Sequence, residues 1–219
     1  MNIAVFIHGK AAAGKDTFVR ALENEAERIM LPENIIVKMP FADEVRKELC
    51  RLDPTVDFNK LCNDYDYKTQ YRKQLVEIGD GYRQSNPGIW VDKHYISLKE
   101  FNLKNKGKIV CVPDMRYSTN NAGDELAYAQ EIGKEFKLLS FTVKIKADLS
   151  ARLYRMSKKA REQYLLYGMY NDSENAMNHV PDSAFSFVCE NTFENPYFND
   201  TLSQAANEII KIYDLVKNI

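Results

Sequence analysis

Residues 9–15 carry the spacing of a phosphate-binding loop, G-x-x-x-x-G-K. Gly9 and Gly14 allow backbone conformations that a side chain would hinder, and Lys15 brings a mobile positive charge to phosphate oxygens. The residues between them are Lys10, Ala11, Ala12 and Ala13. Backbone amides of such a loop and the positive end of the following helix bind polyphosphate. The pattern therefore predicts ATP as a ligand of this segment.

The next residue departs from the usual pattern, because Asp16 stands where a Ser or Thr normally ligates magnesium. A carboxylate also binds Mg²⁺, directly or through water, and it offsets part of the charge of Lys15. Asp16 is equally suited to act as a base or acceptor toward a second substrate, or to stabilise the first turn of a helix. Thr17 offers a hydroxyl, but about 100° further round the helix. We predict a working loop with altered metal coordination.

The loop needs a strand before it and a helix after it. The apolar run Ile3–Ile7 predicts that strand, and residues 15–30 place apolar side chains at helical spacing. Further strands are predicted at Lys108–Val112, Leu138–Ile145, Ile35–Met39 and Phe185–Cys189. Further helices are predicted at Tyr67–Tyr82, Asp124–Lys134, Leu149–Gly168 and Leu202–Lys217. This alternation predicts an α/β fold, a three-layer sandwich with a parallel central sheet and helices on both faces.

The bulk composition narrows the class of protein. A length of 219 residues suits one domain, and 45% hydrophobic residues suffice for its core. A net charge of −1 offers no general attraction for nucleic acid, and no apolar run approaches the roughly 20 residues of a membrane span. We therefore expect neither partner, and no leader segment is apparent. Separated cysteines without metal-ligand spacing, with Cys111 and Cys189 in apolar runs, indicate buried thiols and a cytoplasmic location.

The loop, written G-x-x-x-x-G-K-D, resembles that of two related groups of P-loop kinases. These are the phage-type deoxynucleoside monophosphate kinases and the animal-type phosphomevalonate kinases. Four segments in the same order extend the resemblance: YKTQYRKQLVEIGDGYRQSNPGIW (67–90), CVPDMRY (111–117), NDSEN (171–175) and FVCEN (187–191). One feature differs from the phosphomevalonate kinases, whose loop carries extra basic residues where this chain has three alanines.

The resemblance implies a single P-loop kinase domain over residues 1–219. Within it, an acceptor-binding helical region is expected at about 40–100 and a basic helical lid at about 150–175. ATP and Mg²⁺ are the implied cofactors, and a small phosphorylated molecule is the implied acceptor. The amphipathic tail, Leu202–Ile219, suits packing either on the sheet or on a second subunit, which leaves a homodimer open.

Transfer between two phosphorylated substrates needs cations at the acceptor. Arg72 and Arg83 lie on either side of Gly79, and each guanidinium suits two-pronged contact with a phosphate. An exposed charged helix face is the plain alternative for both. Trp90 is a candidate for stacking on a base, although a single Trp is more often part of a core.

The run KIVCV ends just before Pro113 and Asp114. A carboxylate at the carboxyl end of a central strand is well placed to bind magnesium beside the loop. Alternatively, Asp114 could accept the proton of the attacking group, or it could orient Arg116. Arg116 is expected in the same crevice, and an ordinary salt bridge is the simpler role for both. Lys15, Asp16, Asp114 and Arg116 form the predicted catalytic set.

The expected lid carries Arg152, Arg155 and Lys159 at helical spacing. Such a basic stripe suits a lid that closes over the ATP phosphates and excludes water, and a solvated helix face is its rival. Ser173 and Glu174 follow the lid and are candidates for binding a sugar hydroxyl or organising the arginines.

The first hypothesis is transfer of the ATP γ-phosphoryl group to a (deoxy)nucleoside monophosphate, which yields a diphosphate. Phosphomevalonate is the alternative acceptor for the same chemistry. A nucleotide-binding switch without catalysis is the second hypothesis, motivated by Asp16 and the near-neutral net charge.

Overall fold

The protein is described by a computed structural model that covers residues 1–118, 123–169, 172–191 and 198–218. Within these ranges five parallel strands form one sheet in the order β2-β3-β1-β4-β5. The strands are β1 (Ile3–His8), β2 (Ile36–Lys38), β3 (Ile109–Met115), β4 (Leu139–Lys146) and β5 (Phe187–Glu190). The predicted α/β sandwich with a parallel central sheet is confirmed.

The central strand is β1, and all of its side chains are buried. Ile3 is paired with Ile109 of β3 on one side and with Leu139 of β4 on the other. A strand covered on both faces and both edges can be apolar throughout, which is why its sequence shows a continuous hydrophobic run instead of alternation. The phosphate loop therefore begins at the middle of the sheet's carboxyl edge.

Helices cover both faces of the sheet. In chain order they are α1 (Lys15–Arg28), α2 (Ala42–Leu52), α3 (Phe58–Asn63), α4 (Tyr65–Gln70), α5 (Arg72–Ser85), α6 (Ile89–Lys104), α7 (Glu125–Phe136), α8 (Leu149–Arg155), α9 (Lys158–Gln163), α10 (Asp172–Asn175) and α11 (Phe198–Val216). A π-helical turn, Tyr164–Gly168, continues α9, and a 3₁₀ turn lies at Asp182–Ala184.

Two apolar cores lie on opposite faces of the sheet. On one face α1 and α11 pack against β1 side chains such as Ile3 and Val5. On the other face α6 and α7 pack against Ala4 and Phe6 of the same strand. Alternate residues of one strand point to opposite faces, so β1 contributes to both cores. A third, smaller cluster around Leu49 and Leu61 joins α2 to α5 beside the sheet.

Two predicted helices are divided in the structure. The pattern at residues 67–82 belongs to α4 and α5, which meet at Tyr71. The pattern at 149–168 is broken between α8 and α9, where Met156 and Ser157 are extended and Ser157 caps α9 by accepting from the Ala160 amide. A hydroxyl that caps a new helix competes with continuation of the old one, so apolar periodicity alone did not reveal the break. None of the described helices is both long and apolar enough to cross a membrane.

Candidate functional site: a phosphate loop and a cationic cavity

The loop between β1 and α1 has a backbone that only certain residues permit. A Cβ at Gly9 would lie 3.0 Å from the carbonyl oxygen of Ile145, so the close approach of β4 requires glycine there. Gly14 has a φ of 112°, which side chains strongly disfavour. Ala12 adopts a left-handed conformation at φ 58°, an unusual state for a residue with a Cβ. Both glycines of the sequence pattern are thus needed for the shape of the loop.

The loop leaves amide groups open to an anion. The Ala13 amide donates to the Lys10 carbonyl at 3.1 Å, and the Ala13 carbonyl accepts from the Asn191 side chain at 2.8 Å. Within the described ranges, no protein acceptor is bonded to the amides of Ala12, Gly14 or Lys15. Together with the N-terminus of α1, these donors form a group suited to phosphate oxygens.

Lys15 lies inside the loop and does not extend into bulk solvent. Its Nζ donates to the carbonyl oxygens of Gly9 at 2.5 Å and Lys10 at 3.0 Å. Burial, together with the charge of Arg116, lowers the pKa of Lys15 to about 8. Lys15 is therefore still mainly protonated at neutral pH, and it is positioned at the floor of the loop.

Asp16 and Thr17 occupy the first turn of α1, and both are exposed. No hydrogen bond or ion pair links the carboxylate of Asp16 to another described residue. The described ranges contain no group of three or more His, Cys, Asp or Glu side chains arranged for a metal ion. A metal bound by Asp16 would therefore have to take most of its other ligands from phosphate and water, as Mg²⁺ commonly does.

A cavity of about 330 Å³ opens beside the loop, between β3 and the helices α2, α4 and α5. Its wall contains five cationic side chains: Arg46, Lys68, Arg72, Arg83 and Arg116. Carboxylates of Asp80, Asp114 and Glu125 also line it. The excess of cations over carboxylates suits a ligand that carries more than one negative charge.

Arg83 is positioned by three neighbours. Its guanidinium lies over the ring of Tyr117, 4.3 Å from the ring centroid. Its terminal nitrogens lie 3.6 Å from Asp80 and 3.9 Å from the buried carboxyl group of Glu125. Arg72 lines the same cavity but is exposed to solvent. The structure thus brings together the two arginines that the sequence nominated for the acceptor.

Asp114, a predicted magnesium ligand, has a structural role that the sequence did not indicate. Its two carboxylate oxygens accept hydrogen bonds from the backbone N–H groups of Phe41, at 2.9 Å, and Ala42, at 2.8 Å. These bonds satisfy free donors at the start of α2 and fix that helix to the end of β3. The metal-binding role of Asp114 stays a prediction, and it would have to use the remaining lone pairs.

Arg116 and Arg152 approach the phosphate loop from different segments. Arg116 Nη1 donates to Glu174 at 2.8 Å, and Arg152 Nη1 lies 3.7 Å from the same carboxylate. Arg152 also donates to the hydroxyl of Tyr164 at 2.8 Å and is almost fully buried. The Glu174 carboxylate in turn accepts from the amide of Ala11 at 3.0 Å. Glu174, predicted to contact a substrate or the arginines, does contact both arginines.

The basic stripe predicted for a lid is only partly present. Arg155 donates to the carbonyl oxygen of Ala12 at 3.4 Å and is hydrogen-bonded to the side chain of Asn191. Lys159 is exposed on α9, beyond the break after α8, so its inclusion in a continuous stripe was wrong. The side chain of Ser173 lies outside the described part of the chain.

Comparison with known proteins adds a family. The model of a protein family described as "Phosphomevalonate kinase" matches residues 7–123, which is more than half of the chain. The chain belongs to the phosphomevalonate kinase family. The match covers the phosphate loop, the helices around the cavity and the end of β3. The protein is thus a kinase, and its family uses ATP as the phosphoryl donor.

Two further comparisons complete this result. A solved crystal structure of a "putative kinase" from Chloroflexus aurantiacus j-10-fl aligns with a TM-score of 0.45 and 10% identity. The alignment covers 96% of this chain and 97% of that one. No curated protein matches the chain in sequence.

One predicted substrate contact of this kinase is corrected by the structure. Trp90 does not line the cavity, because its side chain is only 1% exposed and packs within the helical region. Its indole N–H donates to the carbonyl oxygen of Gly79 at 2.9 Å, so its polar atom is satisfied inside the fold. Trp90 therefore fixes α6 to α5 and is unavailable for stacking on a base.

Sequence reasoning missed several residues of the site. Arg46 was not nominated, yet it lines the cavity, whereas its neighbour Lys47 is paired with Glu44. Lys68 and Glu125 were not nominated at all. Helical spacing could have placed Lys68 four residues before Arg72 on one face. Glu125 carried no such signal, because its neighbours in space come from other elements.

Proposed function

We propose that this kinase transfers the γ-phosphoryl group of ATP to the phosphate group of phosphomevalonate. An oxygen of the acceptor phosphate forms a new bond to the γ-phosphorus, the bond from that phosphorus to the ADP oxygen breaks, and a diphosphate and ADP result. The observation that carries the proposal is the set of five cations in a cavity adjacent to the loop. The family match supports the same acceptor.

The charge of the cavity suits an acceptor with two anionic ends. Phosphomevalonate carries a phosphate at one end and a carboxylate at the other, whereas a nucleoside monophosphate carries a single anionic group. Arg83 from α5 and Arg116 from the segment after β3 both line the cavity. Guanidinium groups in such positions can bind one anion each.

The alanines of the loop do not deprive the donor site of positive charge. Cations from other segments approach the loop: Arg155 contacts the carbonyl of Ala12, and Arg116 and Arg152 meet at Glu174, which is bonded to Ala11. In the proposed arrangement, residues 150–175 act as the lid and residues 40–100 as the acceptor region of one kinase domain. The difference in loop composition is thereby offset in three dimensions.

The residues have distinct roles in this proposal. Loop amides and Lys15 bind the donor phosphates, Arg83 and Arg72 bind the acceptor, and Arg116 lies between the two. Asp16 is the exposed carboxylate that would hold Mg²⁺ against the donor phosphates, where the ion would offset their charge. Catalysis of this kind is mainly positioning and charge stabilisation, which needs no protein nucleophile.

A nucleoside monophosphate is the second candidate acceptor. The ring of Tyr117 lines the cavity together with that of Phe41, and aromatic rings are suitable partners for a base. Arg83 already covers one face of Tyr117, so a base would need the other. This candidate is tested in the same experiment.

The deciding experiment offers both acceptor types to the purified protein with ATP and MgCl₂. ADP release is followed by a coupled assay, and the product is identified by ³¹P NMR as a diphosphate. We expect turnover with phosphomevalonate, and none with a Lys15→Ala variant. Turnover with a nucleoside monophosphate alone would overturn the first proposal in favour of the second. Saturable ATP binding without turnover of either acceptor would instead favour a non-catalytic switch.

A further inference from the structure

One carboxylate joins three separate segments at the mouth of the phosphate loop. Glu174, in α10, accepts the backbone N–H of Ala11 on one oxygen at 3.0 Å. Its other oxygen accepts from Arg116, which follows β3, at 2.8 Å. The side chain of Glu174 is only 6% exposed. A buried carboxylate is thus bound to the loop by the same kinds of donor that bind phosphate.

One donor of an arginine beside Glu174 lacks an acceptor within the described part of the chain. Arg152 Nη1 lies 3.7 Å from the carboxylate, and the Tyr164 hydroxyl donates to it at 3.4 Å. The Nε of Arg152 is buried and has no hydrogen-bond partner among the described residues. Leaving a buried charged donor unpaired is costly, so this donor favours an additional acceptor at the site.

The charges lead to the same conclusion. Arg116, Arg152 and Lys15 lie around this point. Glu174 contributes one negative charge near them, and the carboxylates of Asp114 and Asp16 act on Lys15 more weakly. A phosphate group has more negative charge than a carboxylate and more acceptor oxygens. The site is therefore only partly neutralised by Glu174, and a phosphate would satisfy it more fully.

We propose that the Glu174 carboxylate, bonded to the Ala11 amide, occupies a donor-phosphate position of the loop until ATP displaces it. Glu174 is then a positioning residue: it keeps Arg116 and Arg152 at the loop in the ligand-free protein and lowers the affinity for the donor. A phosphate that enters the loop accepts hydrogen bonds from the Ala11 amide and from both guanidinium groups. The Glu174 carboxylate then moves away, because the negative charge of the phosphate repels it.

The test measures binding of sodium tripolyphosphate to the full chain by isothermal titration calorimetry. In Glu174→Gln the side chain keeps its shape and an acceptor oxygen but loses the charge that competes with phosphate. The expected result is a Kd about fivefold to tenfold lower than that of the wild type, because a neutral acceptor binds arginine more weakly. The matched control is Glu131→Gln, whose carboxylate is exposed and paired only with Lys134, and its Kd should equal that of the wild type.

A Kd for Glu174→Gln that equals or exceeds the wild-type value, with an unchanged thermal midpoint, would overturn the proposal. It would mean that Glu174 stays with the arginines when phosphate is bound. If that variant does not fold, Glu174→Asp serves instead. Its side chain is one methylene shorter, so it keeps the negative charge but holds it further from the Ala11 amide. A lower Kd in Glu174→Asp is expected, and an unaltered one would refute displacement.

The inference rests on the proposed binding of ATP phosphates by the loop, but not on the identity of the acceptor. Tripolyphosphate binding involves no acceptor, so failure of phosphomevalonate as a substrate would leave this result intact. Conversely, unchanged affinity in both Glu174 variants would leave the acceptor assay unaffected.

Discussion

The phosphate loop and the cationic cavity provide their positive charge in different ways. The donors of the loop are mainly backbone amides between Gly9 and Lys15, held in place by β1 and α1. The donors of the cavity are long side chains from α2, α4, α5 and the segment after β3. Ordering a long side chain costs rotamer entropy that a fixed amide does not lose again on binding. Lys15 adds side-chain charge at the floor of the loop, whereas the cavity shares its charge among five cations, so loss of Lys15 should cost more than loss of one cavity cation.

The largest expected effect is that of Lys15→Ala. This variant removes the charge at the floor of the loop and leaves the Gly9 and Lys10 carbonyls without their donor. We expect kcat to fall by about 10²- to 10³-fold, as when a donor to transition-state charge is removed. Steady-state kinetics measure this, with Lys134→Ala, an exposed lysine on α7, as the control. Near-normal turnover by Lys15→Ala would contradict the expectation that the loop is more sensitive to substitution than the cavity.

Arg83→Ala should affect the cavity and leave the loop unchanged. It removes one of several cations, and we expect the acceptor KM to rise by about tenfold to a hundredfold, the range for a charged hydrogen bond. The Kd of ATP should stay the same. Lys73→Ala is the matched control, because Lys73 lies on the same helix but is exposed and lies 3.8 Å from Glu77. Weaker ATP binding in Arg83→Ala would show that the two regions are not separate.

Glu125 gives the cavity a dependence on pH between weakly acidic and neutral conditions. Burial raises its pKa from 4.5 to about 7, with Asp114 acting in the same direction and Arg83 opposing. Because the folded-state pKa is the higher one, the folded protein holds this proton between about pH 4.5 and 7. The stability associated with the proton is complete below that window and is lost as pH rises through it.

Glu125→Gln should abolish this contribution while keeping an acceptor for the amides of Arg116 and Tyr117. Thermal unfolding midpoints measured from pH 5 to 8 should therefore fall more steeply in the wild type than in the variant. Subtracting one curve from the other cancels the contributions of other titrating groups. One of these is His8, whose pKa is lowered to about 4 by burial. Parallel curves would contradict a proton on Glu125.

The smallest effect is expected for Trp90→Phe. The variant loses the hydrogen bond to the Gly79 carbonyl and should lower the free energy of unfolding by about 1 kcal/mol. The acceptor KM should not change, because Trp90 does not line the cavity. Denaturant unfolding and acceptor kinetics separate the two effects. A marked rise in KM for a nucleoside monophosphate would restore the base-stacking role.

The donor half of the site was largely predictable from the sequence. Gly9, Gly14 and Lys15 act through backbone geometry and through neighbours within a few residues, so their spacing specifies their arrangement. The alternation of apolar runs and helical patterns likewise predicted a parallel sheet, because burial on both faces of a strand leaves a continuous hydrophobic run. Helix breaks were less predictable, as the cap at Ser157 shows.

The acceptor half depended on the tertiary structure. Residue types nominated Arg72 and Arg83 for the acceptor, and both line the cavity; they also nominated Trp90, which is buried, and they missed Lys68 and Glu125. Whether a side chain faces a cavity or a core depends on how α5 and α6 pack, and periodicity does not report that. Likewise, the two oxygens of Asp114 accept hydrogen bonds from backbone amides at the start of α2, some 70 residues earlier in the chain.

The sequence by itself determined the fold class and the shape of the loop proposed to bind phosphate, because both follow from local backbone preferences and the burial of apolar residues. Only the tertiary structure decided which charges meet. It brought Glu174 to the amide of Ala11, 163 residues away along the chain, and placed Arg116 and Arg152 beside them. Contacts between charges so distant in sequence are set by the packing of whole elements, and no spacing pattern encodes them.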